Sequence, residues 1–260
     1  MIGCRRALTY AKDPSMDSGY YAACTALMSR SKALDTIANN LANASTVGFR
    51  AEHNVFSSVL ASAGATSGSG LSQAMNSFGI MSGTALDQSQ GALQKTGNDL
   101  DVAIQGTGYF AVQTANGQVY TRNGAFQVSS QGQLVTSSGD PVLGDRGPIS
   151  VLPGKLSISS DGTISSNGAV SGKLKVVEFP EGTQIANIGN NYYSGPEDKA
   201  TAATKSNVVQ GSLESSNVNP VANMVELVSA QRNTEMMQRA LSMFSSEIDK
   251  TASQDLPKVS

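Results

Sequence analysis

Residues 20–44 read YYAACTALMSRSKALDTIANNLANA, and residues 224–248 read MVELVSAQRNTEMMQRALSMFSSEI. In the first stretch Tyr20, Ala23, Leu27, Arg30, Leu34, Ile37, Leu41 and Ala44 are spaced alternately three and four apart. That is the spacing of a helix with one apolar seam, and Arg30 alone is out of character. In the second stretch Leu227, Ala230, Thr234, Met237, Leu241, Phe244 and Ile248 repeat the pattern, with Thr234 as the weak place. Between them the chain is dense in Gly, Ser, Thr and Asn, a composition that does not sustain helices. The expected fold class is α+β. Long N- and C-terminal helices pair as a coiled-coil-like core, and a central antiparallel β-rich domain lies between them.

Local signals set the expected boundaries. Asp17 and Ser18 suit the N-cap of the first helix, and Gly48 suits the left-handed position that ends it. Asn39, Asn40 and Asn43 crowd that end although asparagine is a mediocre helix former. Either they are solvated surface, or their amides bond to a neighbouring subunit. Asn219-Pro220 opens the last helix, with Asn as cap and Pro at the first position, where its missing N–H costs nothing. The expected organisation is residues 1–15 as a disordered extension or mis-assigned start, 16–60 as the N-terminal helical core and 61–77 as a flexible linker. A β-rich domain follows over 78–206, and a C-terminal helical core over 207–260. Ala51–Leu60 is expected to form a short helix or turn.

The β signal starts at Leu100, where Leu100, Val102 and Ile104 alternate with Asp101, Ala103 and Gln105. Short apolar runs then recur between Asn116-Gly117, Asn123-Gly124, Asp161-Gly162 and Asn167-Gly168. Asn-Gly between apolar runs predicts a hairpin, because both central residues of a type I′ turn need positive φ. Asn187–Pro196 is expected to be a loop carrying two tyrosines, and Val208–Leu213 a strand.

Composition excludes several functions. The formal net charge is −2 and charged residues make up 15% of the chain, so there is no basic footprint for nucleic acid. Cys4 and Cys24 build no disulfide framework, and no Cys/His spacing suggests a metal. No apolar run reaches the length of a membrane helix or of a secretory signal, so direct membrane insertion is not expected. His53 is the sole histidine and reads as a surface residue, not as the base of a nucleophilic site. Gly106-Thr107-Gly108 resembles part of a dinucleotide fingerprint, but a strand follows where a helix is required, so a bend between strands is expected. Asp99 and Asp101 are expected to make local turn hydrogen bonds. Arg122 can pair within the β domain or fork onto a neighbour's carboxylate. No enzyme activity and no cofactor are expected.

Three blocks resemble one family. Ile37-Ala38-Asn39-Asn40-Leu41-Ala42-Asn43-Ala44-Ser45-Thr46-Val47-Gly48-Phe49-Arg50 is similar to the N-terminal signature of bacterial flagellar rod and hook proteins. The second block is Thr96 to Phe110, which contains Gly106, Gly108, Tyr109 and Phe110. It continues through Tyr120-Thr121-Arg122-Asn123-Gly124-Ala125-Phe126 and resembles that family's central motif. The third is Gln210-Gly211 and Glu214-Ser215-Ser216-Asn217-Val218, followed by Met224-Val225-Glu226-Leu227 and Gln231-Arg232. The length suits the basal-body rod proteins of the FlgF/FlgG class, and Lys173–Phe179 with Glu235-Met236-Met237 leans toward the FlgF-like proximal rod.

The resemblance implies a structural rod subunit, exported by the flagellar type III apparatus without a cleaved signal and assembled in the periplasm as a helical tube that transmits torque. Its partners would be copies of itself and other rod and hook subunits. Assembly would run through the helix seams, with Asn39, Asn40, Asn43, Gly48 and Phe49 at the end of the first, while the β domain faces outward. The free subunit would have mobile termini that order on assembly. The alternative from another class is a β-rich surface adhesin or binding module on a helical stalk.

Overall fold

The computed structural model describes residues 14–57, 80–180 and 182–254, with side chains at 24–55, 84–180, 182–243 and 246. Most of the expected N-terminal extension and all of the 61–77 linker lie outside the described residues. So do the side chains of Phe244 and Ile248. The chain divides into two compact units. Among the described residues one takes in 14–38, 54–57, 80–83 and 224–254, the other 39–53, 84–180 and 182–223.

Helix α1 spans Pro14–Ala42 and α2 spans Pro220–Gln254. The cap of α2 forms as expected, since Asn219 Oδ1 accepts from the N–H groups of Val221 and Ala222, each at 3.1 Å. The start of α1 differs. Proline holds its first position, where its fixed φ suits a helix, so Asp17 and Ser18 lie inside it. Gly48 does not end α1, because turns over 43–48 separate it from Ala42. Its φ of +70° serves a close approach instead: a Cβ there would lie 2.5 Å from the Arg122 carbonyl carbon.

The expected coiled-coil-like pairing of the helices is corrected. Among the described seam side chains only Ile37 and Thr234 are buried, while Leu27, Leu34, Leu41, Leu227, Ala230, Met237 and Leu241 are half-exposed. No leucine of either seam joins a buried hydrophobic cluster. The reason lies in the distribution of apolar residues. Arg30 and Thr234 interrupt the seams, and Thr234 Oγ1 bonds back to the Ala230 carbonyl at 2.8 Å. A second set of apolar residues on α2, Met224, Val225, Val228, Met236 and Met243, points to solvent. Two helices with their apolar area spread over more than one face cannot cover it by pairing once.

The central region is β-rich, and its strand pairs are antiparallel. Its largest sheet has six strands, in the order Ala186–Gly189, Tyr192–Ser194, Gly117–Thr121, Tyr109–Thr114, Val176–Glu178, Thr201–Ala202. Residues 109–112 of strand Tyr109–Thr114 are buried on both faces. Phe110 packs with Phe126, Val102 and Ile104 on one side, and Tyr109 and Ala111 pack with Tyr120, Phe179 and Tyr193 on the other. The aromatic pairs meet edge to face, Phe110 and Phe126 at 5.1 Å and Tyr120 and Phe179 at 4.9 Å between centroids. Among the described residues most of the aromatic side chains thus gather around one strand.

Turn chemistry corrects several expectations. Asn167-Gly168 forms the expected hairpin turn, with φ of 50° and 86° between paired Ser166 and Ala169. At Asn116-Gly117 the pairing of Thr114 with Gly117 makes Ala115-Asn116 the loop. Gly124 has no positive φ. It is glycine because a Cβ would fall 1.6 Å from the Val102 carbonyl oxygen. The stretch Asn187–Pro196 is not a loop but a hairpin between Ala186–Gly189 and Tyr192–Ser194, turned by Asn190 and Asn191 at φ 52° and 58°. Glu52–Ser57 is a strand, not a helix or turn, and it pairs with Ile80–Leu86.

Gly124→Ala is expected to destabilise the protein by about 3 kcal/mol, because the clash is with backbone that cannot rotate away. Gly172→Ala, where the nearest atom to a Cβ is 3.7 Å away, should stay within about 0.5 kcal/mol. Denaturant midpoints of the two variants check both values.

Candidate assembly site

Residues 47–52 leave α1 and have few ladder partners of their own, so their backbone groups must be satisfied by other means. Side chains from distant segments do this. Asn191 Nδ2 donates to the Val47 carbonyl at 2.9 Å. Tyr193 Oη accepts from the Arg50 N–H at 3.0 Å and donates to the Gly48 carbonyl at 3.4 Å. Asn217 Oδ1 accepts from the Ala51 N–H at 2.7 Å. Asn40 pairs with Glu52 as a strand would, its Nδ2 donating to the carbonyl at 2.8 Å and its Oδ1 accepting from the N–H at 2.9 Å. The Gly48 N–H donates to the Glu214 carbonyl at 2.8 Å, and the Asp87 N–H to the Ala51 carbonyl at 2.8 Å.

Beneath this segment lies a buried ionic cluster. Glu214 Oε1 is 2.9 Å from Arg50 Nη2, and Glu214 Oε2 is 3.0 Å from Arg122 Nη1, with all three side chains about 1% exposed. Arg122 Nη2 also donates to the Gly106 carbonyl at 2.6 Å, and its guanidinium lies 5.0 Å from the Tyr109 ring centroid. The Gly91 N–H donates to Glu214 Oε1 at 3.0 Å. Two guanidiniums face one carboxylate, so the buried cluster carries net positive charge. Arg50 Nε and Nη1 have no hydrogen-bond partner, and its Nη2 approaches Glu214 as an ion pair without hydrogen-bond alignment. Burial and the adjacent Arg50 charge push the Arg122 pKa down, although Glu214 opposes both. Burial pushes the Tyr193 and Tyr109 hydroxyls up, so both stay neutral and able to donate.

The Gly106-Thr107-Gly108 bend belongs to the same construction. A Cβ on Gly106 would sit 2.6 Å from Ser206 Oγ, and that hydroxyl accepts from the Gly108 N–H at 3.1 Å. Ser206 donates in turn to Glu178 at 2.6 Å. The bend therefore presents the Gly106 carbonyl to Arg122, and no helix follows it.

The structure brings Asn40, Gly48, Phe49, Gly106, Tyr109 and Arg122 to this cluster, while Gly108, Phe110, Tyr120, Gly124 and Phe126 pack the adjoining core. Arg122 pairs within the chain. The two readings of the asparagines divide: Asn40 is buried and bonded inside the chain, whereas Asn43 bonds back to the Asn39 carbonyl at 3.0 Å on the surface. His53 is an exposed residue 3.7 Å from Asp87. Asn98 Nδ2 donates to Asp101 at 3.1 Å, the local turn bond expected there. Arg50, Glu214, Tyr193, Asn191 and Asn217 were not singled out as site residues in the sequence. The available signal was composition: a charged residue next to apolar or glycine neighbours in a chain with few charges.

Comparison with known proteins follows the same three segments. Residues 21–50 match the flagella basal body rod protein family, and residues 103–171 the flagellar hook protein FlgE/F/G D1 domain. Residues 209–254 match the flagellar basal body rod FlgEFG protein C-terminal family. The chain is 36% identical to the flagellar basal-body rod protein FlgF of Mesorhizobium japonicum, over 91% of this chain and 98% of that protein. It is 34% identical to FlgF of Caulobacter vibrioides, over 94% and 100%. It is 37% identical to the flagellar basal-body rod protein FlgG of Bacillus subtilis, over 76% and 84%. Each matched segment supplies one member of the ionic cluster: Arg50, Arg122 and Glu214.

Glu214→Gln keeps the shape of the side chain and removes the counter-charge from two buried guanidiniums. It is expected to cost about 3–5 kcal/mol. Tyr193→Phe should cost about 1–3 kcal/mol by leaving the Arg50 N–H and Gly48 carbonyl unsatisfied. Urea unfolding of the purified variants measures both, and the glutamine change should be the larger.

Proposed function

The chain belongs to the flagellar basal-body rod family, in the FlgF/FlgG class, and we propose that within it the chain is a FlgF-like proximal-rod subunit. It is a structural subunit of the bacterial flagellar basal-body rod and resides in the basal body. FlgF relatives span 84–94% of the chain and FlgG relatives 76–87%, a lean toward the FlgF-like assignment. Its partners are other rod and hook subunits, with sister copies and the flagellar type III export apparatus as the finer reading. The protein has a structural role and no catalytic one.

The observation that carries the assembly role is the contrast between the two kinds of segment. The cluster at Arg50, Arg122 and Glu214 is almost wholly buried, whereas the seams of α1 and α2 stay half-exposed apart from Ile37 and Thr234. Covering what remains exposed of each leucine contributes a fraction of the roughly 1.5–3 kcal/mol of full burial, and a row of them along two helices favours association. Assembly through Leu27, Leu34 and Leu41 on α1 and Leu227, Ala230, Met237 and Leu241 on α2 uses that free area.

Leu34→Asp and Leu227→Asp are expected to abolish motility and stop rod completion while leaving the unfolding transition of the β region unchanged. Swimming assays, electron microscopy of isolated basal bodies and circular dichroism read the three effects, and normal motility in both variants would remove the seams from the assembly surface. The FlgF-like assignment is tested by expressing the chain in strains lacking FlgF or FlgG. Motility should return in the first and not the second.

A further inference from the structure

The sequence carries three Asn-Gly steps, Asn116-Gly117, Asn123-Gly124 and Asn167-Gly168, and one Asp-Gly step, Asp161-Gly162. Such steps are open to intramolecular chemistry because glycine puts no Cβ in the way of its own nitrogen. The Gly N attacks the Asn side-chain carbonyl carbon, a new C–N bond forms, the bond to the amide nitrogen breaks, and ammonia leaves. Water then opens the cyclic imide to either Asp or its β-linked isomer. Nothing is oxidised or reduced, and water is the one co-reactant. The reaction needs an Asn side chain free to swing over the following nitrogen.

The fold treats the four steps differently. Asn123 Oδ1 accepts from the Ala125 N–H at 3.0 Å, and buried Gly124 is pressed against the Val102 carbonyl. Asn167 is held at both ends, with Nδ2 donating to the Pro153 carbonyl at 3.2 Å and Oδ1 accepting from the Lys155 N–H at 3.2 Å. Both Asp161 oxygens are engaged by Thr163, at 3.2 Å from its N–H and 2.7 Å from its hydroxyl. Asn116 is exposed at the tip of the Tyr109–Thr114 and Gly117–Thr121 hairpin, and its side chain makes no hydrogen bond among the described residues.

We infer that Asn116 is a site of spontaneous deamidation and backbone isomerisation in the folded protein, and that the fold protects Asn123, Asp161 and Asn167. Conversion adds a negative charge at an exposed hairpin tip, and the β-linked product adds a methylene to the turn beside strand Gly117–Thr121. This inference is independent of the rod assignment, since it depends on the hairpin geometry alone.

The test is incubation of the purified full-length chain at mildly alkaline pH, folded and in urea, followed by peptide mapping by mass spectrometry. In the folded protein the gain of one mass unit should fall on the peptide containing Asn116. Asn123 and Asn167 should convert about tenfold or more slowly than in urea. Asn116→Gln should remove the folded-state product. Equal conversion at Asn123 or Asn167 in the folded chain, or an unchanged Asn116 there alongside its conversion in urea, would overturn the inference.

Discussion

Two guanidiniums and one carboxylate are withdrawn from water at Arg50, Arg122 and Glu214, and segments from across the second unit meet there. Removing such charges from solvent costs several kcal/mol per ion before any attraction is counted. Apolar residues of similar volume could fill the same space at no greater cost. Charge pairing with backbone acceptors at Gly106 and donors at Gly91 is directional, so it selects one arrangement. The three blocks shared with the flagellar rod family each supply one corner of this cluster.

The consequence is a fixed course for residues 47–52 and 214–217, both within the second unit. Residues 47–52 follow the last turn of α1, and Glu214 to Asn217 precede the first turn of α2. Asn40, Asn191, Asn217 and Tyr193 then act as substitutes for strand neighbours, so an irregular segment is held by side chains as firmly as a ladder would hold it. The helices carry more apolar surface than one pairing can hide. A molecule with uncovered helix faces is well suited to repeated association.

Much of this was legible in the sequence because it rests on local chemistry. The three-and-four spacing locates both helices, Asn219-Pro220 gives the start of α2, and Asn167-Gly168 gives its hairpin. The Gly106 bend could be told from a nucleotide fingerprint by the strand that follows. The rest depends on tertiary neighbours. Gly48 and Gly124 are glycine because of backbone elsewhere in the chain, at Arg122 and Val102, so a local reading assigned them to a helix end and a turn. The Asn190-Asn191 hairpin was missed because asparagine, not glycine, supplies both positive φ angles. The seams were visible, but their incomplete cover was not, since periodicity reports where apolar residues lie and not what meets them.

The central claim is that the ionic cluster and its amide clamps make residues 48–52 part of the rigid β unit. Native-state hydrogen exchange of the Gly48, Arg50, Ala51 and Glu52 amides tests it most directly. The account predicts protection equal to that of strand Tyr109–Thr114, lost only with global unfolding. Exchange of these four amides at the rate of an open loop, while that strand remains protected, would contradict it.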